Sequence, residues 1–211
     1  VVQLLAVGPG EQGKNRECSA TGFLVNAEGY ILTNAHVVED ARRCLAASPG
    51  TKIMAKLPGA KLRAVPAVSC DVIGLDDLHD LAVLKTERPL AAEERPGFLR
   101  LDPAEVAEGT PVAVTGHPAF AWHPTTQHGK VIRRTTLGLS EKSPQESEII
   151  VLDIPLERGA SGSPVSVESG GVVGVVERQR PARPSETVAV PIRYAIELLD
   201  RYAVRWYLAP K

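Results

Sequence analysis

A succession of short apolar or alternating runs, each broken within a few residues by Gly, Pro, Asn or Asp, constrains this fold more than any other sequence feature. The runs are Phe23–Val25, Tyr30–Thr33, Lys52–Leu57, Leu81–Thr86, Pro111–Thr115, Lys130–Arg134, Ile149–Ile154, Pro164–Val167, Gly171–Glu177 and Val188–Pro191. Runs too short for helices and bounded by turn formers read as strands, and many in series predict a sandwich or barrel. Asn26-Ala27-Glu28-Gly29 reads as a hairpin turn between the first two. One segment differs. In Ile192–Tyr202, Ile192, Ala195, Ile196 and Leu199 recur at i, i+3, i+4 and i+7, which predicts an amphipathic helix.

The chain has 211 residues, 44% of them hydrophobic and 23% charged, the balance of a globular protein with room for a substantial core. Its formal charge of −1 gives no electrostatic reason to bind nucleic acid or an anionic membrane surface. No apolar run approaches the ~20 residues of a membrane span, and no basic segment followed by an apolar core precedes the first strands, so the chain reads as a mature or trimmed domain. Cys18, Cys44 and Cys70 are too scattered for a Cys-x-x-Cys zinc site. Cys18 precedes the strand that leads to His36 and Cys44 follows it, so a bridge between them would brace that region; two buried thiols are the alternative.

The chemistry is concentrated in Gly159-Ala160-Ser161-Gly162-Ser163-Pro164, where small residues leave the Ser161 hydroxyl exposed among backbone donors. A serine alcohol needs a base to take its proton. His36, in Leu32-Thr33-Asn34-Ala35-His36-Val37-Val38, is the candidate, because imidazole titrates near neutrality. Asp80, in His79-Asp80-Leu81-Ala82-Val83-Leu84, is the carboxylate to hold its ring, since it enters an apolar strand. Asp76 and Asp77 compete for that role but read as solvated loop charges. The order histidine, aspartate, serine, with Pro164 where a helix would otherwise start, differs from the serine, acid, histidine order of α/β-hydrolases.

These blocks resemble the chymotrypsin-like serine peptidases of the bacterial HtrA (Deg) type. Thr21–Val25 with Gly29–His36 looks like the family's histidine block, Asp80–Lys85 like its aspartate block, Gly159–Pro164 like its serine block, and Gly171–Val176 like the strand beyond. The resemblance implies an all-β fold of two six-stranded antiparallel β-barrels with a C-terminal α-helix packed outside. The Pro- and charge-rich stretch from Glu87 to Gly97 predicts the lobe boundary, giving a first lobe, 1–96, with His36 and Asp80, and a second, 97–211, with Ser161. The implied activity is a serine endopeptidase acting through an acyl-enzyme on Ser161, with Gly159 and Ser161 donating N–H groups to the oxyanion and no cofactor.

Further expectations follow from the resemblance. Pro155, Leu156, Val176 and Arg178 would wall the primary substrate pocket, with Pro155 near the place of a charge-selecting aspartate, so small or medium aliphatic side chains are favoured over Lys or Arg. Glu157 is the exception that would attract a basic residue, with Arg158 beside it as a neutralising partner. Ala160 stands where digestive relatives carry an aspartate that pairs with a freed amino terminus, so no activating cleavage is expected. Ser163 departs from the family's usual second glycine, and Asp153 matches an aspartate upstream of the serine block. Partners are peptides or unfolded proteins, without nucleic acid or a membrane span, and the oligomeric state stays open. An oxidised Cys18–Cys44 pair would point to a periplasmic or secreted location. A peptide-binding relative that no longer cuts and an esterase with the same triad are the rival readings. His117, His123 and His128 read as loop histidines rather than a metal site, and Phe120 and Trp122 as residues that line the cleft or pin their loop.

Overall fold

The computed structural model describes residues 1–9, 15–45, 52–57, 67–91, 97–118, 123–139, 145–180 and 183–209. Strands β1 (Val2–Pro9), β2 (Asn15–Leu24), β3 (Tyr30–Thr33), β4 (Ile53–Lys56), β5 (Ala67–Asp76) and β6 (Leu81–Thr86) close into one antiparallel barrel in the order β1-β2-β3-β6-β5-β4. A second barrel, β10-β11-β12-β9-β8-β7, is formed by β7 (Pro111–Gly116), β8 (Thr125–Leu137), β9 (Ser147–Leu152), β10 (Pro164–Ser166), β11 (Val172–Arg180) and β12 (Arg183–Pro191). Helix α1 (Ala35–Leu45) follows β3, and α2 (Ile192–Arg201) follows β12.

The continuous apolar runs are explained by burial on both faces. Successive strand residues point to opposite sides. In β3 and β6, Ile31, Ala82 and Leu84 fill the first barrel, whereas Leu32, Leu81 and Val83 face the second. The second barrel mirrors this, with Ile150, Leu152, Val173, Val176 and Ala189 inside and Ile149, Val151, Val172, Val175, Val188 and Val190 toward the seam. Phe23, fully buried in that seam, is worth roughly 1.5–3 kcal/mol of transfer free energy. Helix α2 closes the seam with Ile192, Ala195, Ile196, Leu198 and Leu199, so it lies outside the barrels and across the joint between them.

The turn from β2 to β3 forms as its sequence suggests: Asn26 Oδ1 accepts from Glu28 N–H at 3.0 Å, and Gly29 takes φ +91°. Three elements were not anticipated. Strands β1 and β5 escape a reading by short apolar runs because both mix polar and small residues with their buried ones. The third is α1, a helix of 11 residues that carries His36 in its first turn. Its Val37, Val38, Ala41 and Cys44 are buried on one face while Asp40, Arg42 and Arg43 are exposed, and Arg42 and Arg43 in the last turn suit the negative end of the helix dipole.

Candidate active site

Helix α1 starts at the carboxyl-bearing turn. Asp80 has φ +52°, a left-handed conformation tolerated by aspartate better than by most side chains, and it sits between β5 and β6 with 4% exposure. Its carbonyl accepts from Ala35 N–H at 3.1 Å and from Asn34 Nδ2 at 3.0 Å. Its carboxylate accepts from His36 N–H at 2.8 Å through Oδ1, and Oδ2 lies 2.6 Å from His36 Nδ1. Backbone and ring of one histidine are thus held by one carboxylate at a helix N-terminus, where unpaired N–H groups favour a negative charge. The contact fixes the tautomer: Nδ1 carries the proton toward Asp80, and Nε2 is left as the basic nitrogen.

Burial lowers the proton affinity of His36, but the hydrogen bond and charge of Asp80, with Glu177 and Asp40 behind it, outweigh burial and hold its pKa above the ordinary value. Asp76 is not a solvated loop charge. It ends β5 with 7% exposure, accepts from His79 N–H at 3.1 Å and meets His79 Nδ1 at 3.0 Å, while His79 stacks on Tyr194 at 3.8 Å between ring centroids. Burial alone would raise the Asp76 pKa; its bonds to His79 and the charge of Arg201 pull it below the usual range. This second aspartate and histidine dock α2 and are not turned to the cleft, whereas Asp77 is exposed.

Ser161 lines the same cleft as His36, a cavity of about 490 Å³ bounded by Leu4, Ala6, Val37 and Ile53 on one side and by Arg158 and Gly159 on the other. Ser161 Oγ donates to the Glu177 carbonyl at 2.9 Å. The loop is clamped by the first barrel: Thr21 N–H donates to the Ser161 carbonyl at 2.9 Å, and Thr21 Oγ1 donates to the Gly159 carbonyl at 2.8 Å. Gly162 has φ +83°, and a Cβ there would collide with the Thr21 carbonyl oxygen and Thr33 Oγ1, so glycine is required twice over. Gly159 has φ +94°. Ala160 is buried in the second barrel's core and offers no charge to an amino terminus.

The four residues expected to wall the primary pocket do not line this cleft. Leu156 and Val176 are 4% and 1% exposed in the second barrel's core, Pro155 and Arg178 are at the surface, and none of the four lines the large cleft. Both apolar residues serve packing: Val176 is turned inward by its place in β11, and Leu156, in the segment after β9, packs into the same core cluster. Asp153 Oδ1 accepts from Lys130 N–H at 2.7 Å and braces its loop. Cys18 and Cys44 are disulfide-bonded, with Cα atoms 6.5 Å apart, tying β2 to the end of α1, and Cys70 is a buried free thiol. His117 is buried, with its N–H donating to Thr21 Oγ1 at 2.9 Å; His123 is exposed, and His128 lies within β8 rather than in a loop. Phe120 and Trp122 lie outside the described residues.

Two residues escaped the sequence reading. Thr21 opens the histidine block, and its hydroxyl joins the lobes. Glu177 is 2% exposed, and burial pushes its carboxyl up to about 7 against the pull of Arg178. A charge ending an otherwise apolar run, Val172 to Val176, was the available signal. His36, Asp80 and Glu177 form a cluster of potential metal ligands within 4.8 Å of one another. Two ligands of one tetrahedral zinc ion stand roughly 3.3 Å apart, and the 2.6 Å contact between His36 and Asp80 is a hydrogen bond instead.

A family model described as the trypsin-like peptidase domain matches residues 20–175, a span containing all three blocks. The chain belongs to the trypsin-like peptidase domain family. Relatives of this trypsin-like domain include a probable periplasmic serine endoprotease, DegP-like, from Halomonas elongata, 29% identical over 92% of this chain and 37% of its own length. A mitochondrial serine protease HTRA2 from Drosophila grimshawi is 28% identical over 89% of the chain and 40% of its own length, so the chain spans well under half of these relatives. Among solved structures, an M. tuberculosis protease in its active form superposes with a TM-score of 0.73 at 17% identity, covering 98% of this chain and 82% of that one. An HtrA-type protease solved with a decapeptide gives 0.71 at 20%, covering 96% and 63%. At these identities the structural matches establish the two-barrel trypsin-like fold.

Proposed function

We propose that this chain is the catalytic domain of a serine endopeptidase of the HtrA type, with Ser161 as nucleophile, His36 as general base and acid, and Asp80 as the group that orients His36. The reading is carried by one observation: His36 is held at both its backbone N–H and its ring by Asp80, on the wall of a cleft whose other wall is Gly159–Ser161. On substrate binding, Ser161 Oγ leaves the Glu177 carbonyl by rotation about χ1, gives its proton to His36 Nε2 and attacks the scissile carbonyl. The N–H groups of Gly159 and Ser161, which donate to no backbone carbonyl among the described residues, face the developing oxyanion. The imidazolium then returns the proton to the leaving amine, and water repeats the sequence on the acyl-enzyme. No step requires a metal or an organic cofactor.

The substrate class is an extended peptide or unfolded protein, supported by the serine endoprotease relatives. We place the lobe boundary at 96/97, a reading supported by its position between β6 of one barrel and β7 of the other. An extracytoplasmic location is supported by the Cys18–Cys44 bridge and by relatives named periplasmic. No helix among the described residues is long and apolar enough to cross a membrane. A fluorophosphonate probe followed by peptide mapping tests the assignment: labelling at Ser161 that is lost in Ser161→Ala is expected, and labelling at Ser163 overturns it. Cleavage of an unfolded protein, and not of an activated ester alone, separates the peptidase from an esterase or a peptide-binding relative.

A further inference from the structure

Glu177 occupies two positions at once in this site. Its backbone carbonyl holds the Ser161 hydroxyl at 2.9 Å, and its side chain lies beside the histidine and aspartate that would activate that hydroxyl. The carboxylate is buried: Oε1 meets Arg178 of the same strand at 3.0 Å, and Oε2 has no hydrogen-bond partner among the described residues. Potential ligand atoms of Glu177, Asp80 and His36 all lie within 4.8 Å of one another. An orphaned buried carboxylate oxygen is costly, and the cost is relieved when the oxygen carries a proton or faces a cation.

We infer that Glu177 is a positioning residue that competes with His36 for one proton and thereby sets the pH at which His36 is free to act as a base toward Ser161. The inference rests on the proposed roles of His36 and Ser161. The charged and titratable groups around Glu177 are Arg178 on β11 itself, Asp80 in the turn before β6, and His36 on α1; Asp40 on α1 acts on His36. With Asp80 ionised, a second negative charge this close to the ring stabilises the imidazolium and withholds the base. When the proton moves from His36 to Glu177, the ring is neutral, the carboxyl is neutral, and the net charge of the cluster is unchanged. The two groups therefore titrate as a pair in two macroscopic steps. Burial of Glu177, which favours its neutral form, brings its proton affinity into the range where such an exchange occurs.

The test compares wild type with Glu177→Gln, which keeps the size of the side chain and one acceptor oxygen, puts an NH2 donor in place of the other oxygen, and removes the charge. The acid limb of kcat/KM for a peptide substrate is expected to move to lower pH by about 1 unit, the size of shift seen for a charge within 4–6 Å. In parallel, nitrogen NMR of the His36 ring is expected to show a two-step titration in wild type and a single step at lower pH in Glu177→Gln. An unmoved acid limb, or a uniform loss of turnover at every pH, overturns the inference, because a merely structural role would give the latter. A single-step His36 titration in wild type also overturns it, even if the variant fails to fold. Because the NMR titration needs no turnover, absence of probe labelling at Ser161 would sink the peptidase reading while leaving the coupling of Glu177 to His36 independently measured.

Discussion

Thr21 Oγ1 of the first barrel donates to the carbonyl of Gly159 in the second at 2.8 Å, while the same oxygen accepts from His117 N–H at 2.9 Å. A buried hydroxyl that both gives and receives is hard to replace. Thr21→Val keeps the shape but leaves a carbonyl and an N–H unpaired, at ~1–3 kcal/mol for each group. The expected result is a lower melting temperature together with reduced turnover, since the loop around Gly159 loses the bond that anchors its carbonyl. Unchanged thermal melting and kinetics would show that the clamp is dispensable.

Ser161→Ala should abolish peptidase turnover down to the ~10³–10⁴-fold acceleration over water that binding and an oxyanion site alone supply. Asp80→Asn should lower kcat by about 10⁴, because an amide at 2.6 Å from Nδ1 no longer enforces the productive tautomer. Near-normal turnover of Asp80→Asn would reassign the orienting role. Asp76 is a poor substitute, being committed to His79.

Replacing Glu177 by Gln has a second consequence, for stability. The native carboxyl titrates at about 7 instead of 4.5, so between those values the folded state holds a proton that the unfolded state releases, and stability falls as pH rises. Above the upper value the full cost remains, on the order of 3 kcal/mol at ~1.4 kcal/mol per pH unit. Glu177→Gln should therefore unfold at higher denaturant than wild type at pH 8, with the difference closing below pH ~4.5. An equal difference at both extremes would trace the effect to packing.

The Cys18–Cys44 bridge closes a loop across 26 residues of sequence and pins the helix that carries His36. Reduction, or substitution of both residues by serine, should cost about 3.5 kcal/mol by loop-closure entropy and loosen α1. Non-reducing peptide mapping should recover the linked pair. Cys70, whose thiol burial pushes up to about 11, should resist alkylation in the native state and react only on unfolding. Three alkylatable thiols in unreduced native protein would contradict both expectations.

Ser163 Oγ is buried without a hydrogen-bond partner among the described residues, packed against Gly116 where a Cβ would strike it. Ser163→Ala removes an unsatisfied polar atom and should stabilise the fold by about 1 kcal/mol with probe labelling at Ser161 intact. Loss of labelling in this variant would make Ser163 part of the reaction.

The order of the His36, Asp80 and Ser161 blocks, the turn at Asn26–Gly29, most strands and the amphipathic stripe of α2 are written locally, so the sequence by itself determined the all-β class and the residues worth testing. Local chemistry suffices there, because strand alternation, turn formers and small residues around a nucleophile act over a few positions. Helix α1 was legible in the spacing of Val37, Ala41 and Cys44 but was masked by the β-branched pair at its start. What only the tertiary structure decided involves partners distant in sequence. The hydroxyl of Thr21 lies 138 residues from its acceptor, and Asp76 and Asp80, four positions apart, divide between docking α2 and holding His36. Val176 went to the core, and Glu177 to a dry site beside the histidine, because barrel closure fixes which face of each strand meets solvent, a choice that no short window of sequence contains.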